Sequence, residues 1–209
     1  MTHPLLPVLR RARVVPVVRT STAALAATAC AWLREAGMTV LEITLTTPDA
    51  VALIRELSGE PGLLVGAGTV PDERAAEACL TAGAKFLVTP WVDAGVAAAA
   101  RAAGACAMPG AMTPTEIRAA IAAGADVVKI FPAASAGGPA HVKAVRAVFP
   151  DIAFCPTGGV DAGNAPDYLA AGAAFVGIGG RLVDEARIAA GDNSAILRAA
   201  REALGIEQA

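Results

Sequence analysis

Lys129 stands in DVVKIFP, Asp126 to Pro132, with Val127 and Val128 before it and Ile130 and Phe131 after it. Desolvation in such a run disfavours the ammonium form, and the neutral amine is a nucleophile that attacks carbonyl carbon. The chain holds three lysines, and the other two have ordinary solvated explanations: Lys85 precedes a strand-like run and Lys143 lies in a helical pattern. A strand-end lysine that snorkels to water or pairs with a carboxylate is the plainer alternative. Glu42 carries the same anomaly, an acid inside the apolar run VLEITL. If both side chains face one interior, the carboxylate can pair with the amine and move protons for a carbonyl substrate. A purely structural ion pair is the competing reading.

Two glycine-rich turns add an anion site to this chemistry. PTGGV (Pro156–Val160) and GIGGR (Gly177–Arg181) each follow an apolar run, and their backbone N–H groups can converge on a phosphate or carboxylate. Arg181 adds a guanidinium fork. Each Gly-Gly pair alone also reads as a tight turn; together they favour an anionic substrate contacted by Thr157, Gly158, Gly159, Gly180 and Arg181. In GAGT, Gly66 and Gly68 are expected to let a ligand approach the backbone while the Thr69 hydroxyl bonds it, although a plain turn is the alternative.

The elements that must position these residues are legible from one repeated tag. EAGMTV, TAGAKF, AAGACA, AAGADV and AAGAAF, around Gly37, Gly83, Gly104, Gly124 and Gly172, each read as a helix stop followed by a strand start. Gly83 to Gly104 and Gly104 to Gly124 span 21 and 20 residues, while the flanking gaps of 46 and 48 are about double. The unit is therefore one strand and one helix, and eight units fit the chain. Strands are expected at Val14–Val18, Val40–Leu45, Leu63–Ala67, Phe86–Thr89, Ala105–Met108, Val127–Ile130, Ile152–Cys155 and Phe175–Ile178. Helices are expected near Ser21–Ala36, Pro48–Leu57, Pro71–Ala82, Val92–Ala103, Thr113–Ala123, Pro139–Val148, Asn164–Ala171 and Asn193–Leu204, with a further N-terminal helix, Leu5–Ala12, closing the bottom. Thr113-Pro114 with Glu116 is a capping box. The fold predicted is α/β, a (β/α)8 TIM barrel as one domain over residues 1–209. An open doubly wound sheet is less consistent, because no G-x-G-x-x-G opens the first helix. In such a barrel the active site lies at the carboxyl ends of the strands, where Arg19, Glu42, Thr69, Pro90, Lys129, Phe131 and both glycine turns fall.

Composition narrows the function classes. Apolar residues make up 55% of the 209, but no apolar run reaches the roughly 18 to 20 residues that span a bilayer. A net charge of −2 without a basic stripe argues against a nucleic-acid partner. Cys30, Cys79, Cys106 and Cys155 form no C-x-x-C pair, and His3 and His141 have no metal-ligand spacing, so neither a zinc site nor a redox couple is indicated. The opening residues lack the features of a signal peptide, which points to the cytoplasm.

In order along the chain, VVPVVR, VLEITLTTPDA, VGAGTV, VTP, MPGAMTPTE, VVKIFPA, CPTGGV and VGIGG resemble the 2-keto-3-deoxy-6-phosphogluconate (KDPG) and 4-hydroxy-2-oxoglutarate aldolase family over about residues 14 to 181. The resemblance implies a (β/α)8 homotrimer and a class I aldolase needing neither metal nor cofactor. It makes Lys129 the residue that forms a Schiff base with pyruvate and Glu42 the proton acceptor and donor. It assigns Thr69 to the pyruvoyl group, Pro90 to the stereochemical choice, and Thr157 to the gluconate rather than galactonate type. Two positions depart from the family pattern. Thr46 stands where many members carry the arginine that holds the substrate carboxylate, and Arg19 is expected to substitute for it. Arg181 stands where members often carry serine, which suits either a phosphate or the second carboxylate of 4-hydroxy-2-oxoglutarate. The expected reaction is cleavage of a 2-keto-4-hydroxy acid to pyruvate and an aldehyde. Two rivals are a phosphosugar isomerase or epimerase, in which Lys129 is merely electrostatic, and a non-catalytic ligand-binding barrel.

Overall fold

Short apolar runs alternate with alanine-rich amphipathic segments, and the chain folds accordingly into strands followed by helices. The computed structural model describes residues 3–205; residues 1–2 and 206–209 of the span read as one domain lie outside the described residues. The first half comprises α1 (Leu6–Ala12), β1 (Val14–Val18), α2 (Ala23–Glu35), β2 (Val40–Thr44), α3 (Ala50–Ser58), β3 (Leu64–Gly68), α4 (Glu73–Thr81), β4 (Phe86–Val88) and α5 (Ala94–Ala102). The second half comprises β5 (Cys106–Met108), β6 (Gly110–Ala111), α6 (Pro114–Ala122), β7 (Val127–Ile130), α7 (Gly138–Val148), β8 (Ala153–Pro156), α8 (Ala165–Ala170), β9 (Val176–Ile178), α9 (Glu185–Ala189) and α10 (Asn193–Leu204).

Every strand pairing is parallel. One sheet runs β5-β4-β3-β2-β1-β9 and the other β6-β7-β8. They meet on one flank through the Thr157–Gly177 bridge and on the other through bonds from Asp126 N to Ala107 O (2.9 Å) and Lys129 N to Pro109 O (3.0 Å). The result is a curled parallel sheet with an inner face. The strand expected at Ala105–Met108 continues beyond Pro109 as β6, and the break falls at Pro109 because proline has no N–H to donate to the ladder.

Alternation along the strands separates two apolar layers. Val15, Val40, Phe86, Cys106, Val127, Ala153 and Phe175 form the inner layer with Leu6 and Leu9 of α1, which plugs its lower end. Leu41, Ile43, Val128, Ile130 and Phe154 point the other way, into the layer under the helices. With a period of two, Glu42 continues the inner column of Val40 and Lys129 that of Val127. The polar pair thus caps an apolar interior.

Several tag glycines do what the spacing requires. Gly37 and Gly124 adopt φ of 101° and 91°, ending α2 and α6 in the left-handed region. The helices expected from Pro48 and Pro71 each start two residues later, at Ala50 and Glu73; Asp72 caps α4 by accepting from Ala75 N, whereas Asp49 precedes α3 in the left-handed region without a side-chain cap bond. The short α9 was not expected; Asp184 caps it by accepting from Arg187 N at 3.1 Å.

Candidate functional site

Lys129 and Glu42, 87 residues apart in the chain, are each only 4% exposed, and Lys129 Nζ lies 3.7 Å from Glu42 Oε1. The fold therefore supplies the acid that the residues next to Lys129 do not. The separation exceeds a hydrogen bond, and Glu42 Oε1 has no hydrogen-bond partner among the described residues. A buried carboxylate oxygen left open carries a desolvation penalty of about 1–3 kcal/mol or more, which is tolerated where the group has a task on a bound molecule. Lys129 Nζ also stands 5.2 Å from the centre of the Phe131 ring, on whose face a cation is favoured.

Glu42 occupies its position only because residue 68 has no side chain. A Cβ on Gly68 would overlap Glu42 Oε1 and come within 2.8 Å of its Cδ and Cγ, while a Cβ on Gly66 would overlap the Phe86 ring. This corrects the expectation for GAGT: the space above Gly66 and Gly68 is taken by the protein's own side chains rather than left for a ligand. Thr69, next in the chain, is half-buried with φ of 55°, a strained value for a β-branched residue.

β8 brings up the next wall. Cys155 pairs in register with Lys129, and Thr157, on the same face, is buried with its Oγ1 3.8 Å from Cys155 Sγ. Burial pushes the Cys155 thiol up to about 12, against the opposing pull of the Thr157 hydroxyl and Lys129. It is an inert filler, not a competing nucleophile.

In front of Lys129 opens a cavity of about 230 Å³, lined by Arg19, Lys129, Phe131, Thr157, Gly158, Gly159, Gly180 and Arg181 together with Val17, Val160 and Gly179. Eight of the expected site residues therefore share one chamber. Glu42, Thr69 and Pro90 are outside its lining, Glu42 reaching it only through its 3.7 Å approach to Lys129; Pro90 is half-buried against Gly110, which has no room for a Cβ beside it. Arg19 continues the inner column of Val15 and Val17, is exposed, and has no carboxylate within ion-pair distance among the described residues. Thr46 turns instead to its neighbour, its hydroxyl 3.0 Å from Thr44 Oγ1. Val17 and Val160 had no polar signal by which the residues alone could mark them.

A larger cavity, about 660 Å³, adjoins the first across Gly159, Gly180 and Arg181, with Leu182, Arg187 and Arg198 on its far side. Lys129 is not part of its lining. Among the described residues no cluster of three or more His, Cys, Asp or Glu is placed to hold a metal ion, and no helix is long and apolar enough to cross a membrane.

A family model for aldolases, KDPG and KHG aldolase, matches residues 6–199, which takes in every element from α1 through most of α10. The chain belongs to the KDPG and KHG aldolase family. Its similarity to individual members is substantial. It is 40% identical to the 2-dehydro-3-deoxy-phosphogluconate aldolase of Pseudomonas aeruginosa over 196 residues, 93% of this chain and 89% of that protein. The solved KDPG aldolase from Legionella pneumophila, with pyruvate captured as a covalent carbinolamine intermediate, superposes with a TM-score of 0.85 at 31% identity, covering 97% of this chain and 98% of that one. A cube-shaped protein cage designed by fusing symmetric oligomeric domains contains a similar fold: TM-score 0.78, 32% identity, 92% of this chain and 73% of that one.

Proposed function

We propose that this member of the aldolase family cleaves KDPG reversibly to pyruvate and glyceraldehyde 3-phosphate, with Lys129 as the imine-forming residue and Glu42 as the general base and acid. The single observation that carries the reading is a buried amine that lines a chamber, a buried carboxylate 3.7 Å from that amine, and two glycine turns lining the same chamber. The Lys129 amine adds to C2 of the substrate, and loss of water from the carbinolamine gives the protonated imine. Glu42 takes the proton of the C4 hydroxyl. As the C4–O electrons form the aldehyde carbonyl, the C3–C4 bond breaks and its electron pair moves into the imine, giving an enamine. Protonation at C3 and hydrolysis release pyruvate and restore the amine.

Binding is divided between the two ends of the chamber. Arg19, with no carboxylate in ion-pair range among the described residues, holds the substrate carboxylate; Gly158, Gly159 and Gly180 present backbone N–H groups to the phosphate, and Arg181 adds charge there. Phe131 and Thr157 pack the middle. Thr69, in its strained conformation, and Pro90 act from beside the chamber on the pyruvoyl group and on the face of the aldehyde. The bridge at Thr157–Gly177 and the bonds around Pro109 support a closed (β/α)8 barrel of one domain. The homotrimer is our reading; likeness to a protein built from symmetric oligomeric domains supports association of subunits without giving their number, and four free cysteines, all buried, suit the cytoplasm.

The reading is tested by measuring pyruvate release from KDPG and from 4-hydroxy-2-oxoglutarate. A kcat/KM at least about tenfold higher for KDPG is expected, since a site built around the phosphate loses those bonds with the shorter acid. The opposite preference would assign Arg181 to a second carboxylate, and no pyruvate from either would overturn the proposal.

A further inference from the structure

We infer that Glu185, on α9, is a positioning residue for Arg19; the inference rests on the reading of Arg19 as the ligand of the substrate carboxylate. Arg19 sits in the turn between β1 and α2, and the backbone on both sides of it is tied down. Before it, Val18 O accepts from Thr44 Oγ1 at 3.2 Å. After it, Thr20 N donates to Thr47 Oγ1 at 3.3 Å. Ser21 N then donates to both carboxylate oxygens of Glu185, at 3.2 and 3.1 Å, and the Ser21 hydroxyl donates to Glu185 Oε1 as well.

Ser21 and Glu185 are 164 residues apart, so this contact joins the turn after the first strand to the segment that follows Arg181. Both segments contribute a lining residue of the chamber, Arg19 and Arg181. Glu185 itself is aimed by its place at the start of α9, where Asp184 is the cap. Arg19 is left fixed at its root, with no ion-pair partner at its tip among the described residues. A long side chain on a pinned backbone loses less freedom when a ligand arrives, and a small displacement of the turn withdraws the guanidinium from a carboxylate it would otherwise meet. Because the Ser21–Glu185 contact is exposed to water, it adds little to global stability. Its effect is local and falls on binding.

The test measures KM for pyruvate in the synthetic direction, with the aldehyde held saturating. Glu185→Ala is expected to raise that KM about two- to fivefold, the ceiling set by a solvent-exposed charged contact. The melting temperature should stay within about 3 °C of the parent. Ser21→Ala, which keeps both N–H bonds, should give a smaller rise and serves if the first variant folds poorly. The discriminating readout is the cycle with Arg19→Ala: once Arg19 is absent, Glu185→Ala should raise KM no further. A rise with Arg19→Ala but none with Glu185→Ala would overturn the positioning role and leave the carboxylate reading intact, as would strictly additive effects. No rise with Arg19→Ala would overturn both.

Discussion

Replacing Gly68 by alanine adds one methyl group at a backbone position any residue can adopt, so its effect is purely steric and falls on Glu42. The new Cβ would overlap Glu42 Oε1 and come within 2.8 Å of Cδ and Cγ, against an ordinary carbon contact of about 3.5–4.0 Å. The carboxyl group must then retreat by about 1 Å, away from the position 3.7 Å from Lys129 Nζ. A misplacement of that size is worth about 10²-fold in rate, within the range of about 10² to 10⁴ that general acid–base catalysis supplies. Overpacking destabilises by about 1–3 kcal/mol, a fall in melting temperature of some 2–4 °C per kcal/mol. Gly68→Ala is therefore expected to remain folded, to form the imine with pyruvate, and to cleave KDPG about a hundredfold more slowly, as followed by pyruvate release. A kcat within threefold of the parent would refute the reasoning, since it would mean that Glu42 acts equally well from elsewhere. Gly66→Ala is the contrasting variant: its Cβ meets Phe86, so melting temperature should suffer more than kcat.

Other consequences follow from the same contacts. Lys129→Met should abolish turnover and, by leaving Glu42 buried and unpaired, destabilise by about 3–5 kcal/mol in urea unfolding; adding Glu42→Gln should recover part of that loss. Glu42→Gln alone should retain imine formation while turnover falls about 10²-fold or more. Burial raises the thiols of Cys30 and Cys155 from 9.0 to about 12 and that of Cys79 to about 11. The folded state holds these protons more tightly than the unfolded chain, so their contribution is complete below pH 9 and is lost as pH rises through the folded values; the melting temperature should fall between pH 9 and 11, with a shallower slope in Cys30→Ala. Thr113→Ala removes the cap of α6, where Thr113 Oγ1 accepts from Glu116 N at 3.3 Å, and should lower stability by about 1 kcal/mol without altering kcat.

Much of the frame was readable because local chemistry decided it. Val14–Val18, Val127–Ile130 and Asn193–Leu204 have the ends expected from apolar runs and caps, and no other expected strand end moved by more than one residue. α9 escaped because five residues give too little periodicity to register, although Asp184 was a visible cap. At the site, Lys129 and Glu42 stood out because each is a charge where burial is unfavourable. What could not be read was anything that depends on two distant segments meeting. The 3.7 Å approach of the pair, the dependence of Glu42 on Gly68, and the bond from Ser21 to Glu185 arise only when strands take their register. GAGT was misread for the same reason: its glycines looked like space for a ligand, and only packing reveals that Phe86 and Glu42 fill it.

The most direct measurement of the central claim is borohydride reduction of the protein in the presence of pyruvate, followed by intact-mass and peptide mass spectrometry. A single reduced pyruvate adduct on Lys129, absent from Lys129→Met and retained in Glu42→Gln, is the predicted result. Folded protein that acquires no adduct with ample pyruvate, or that carries it on Lys85 or Lys143, would contradict the account.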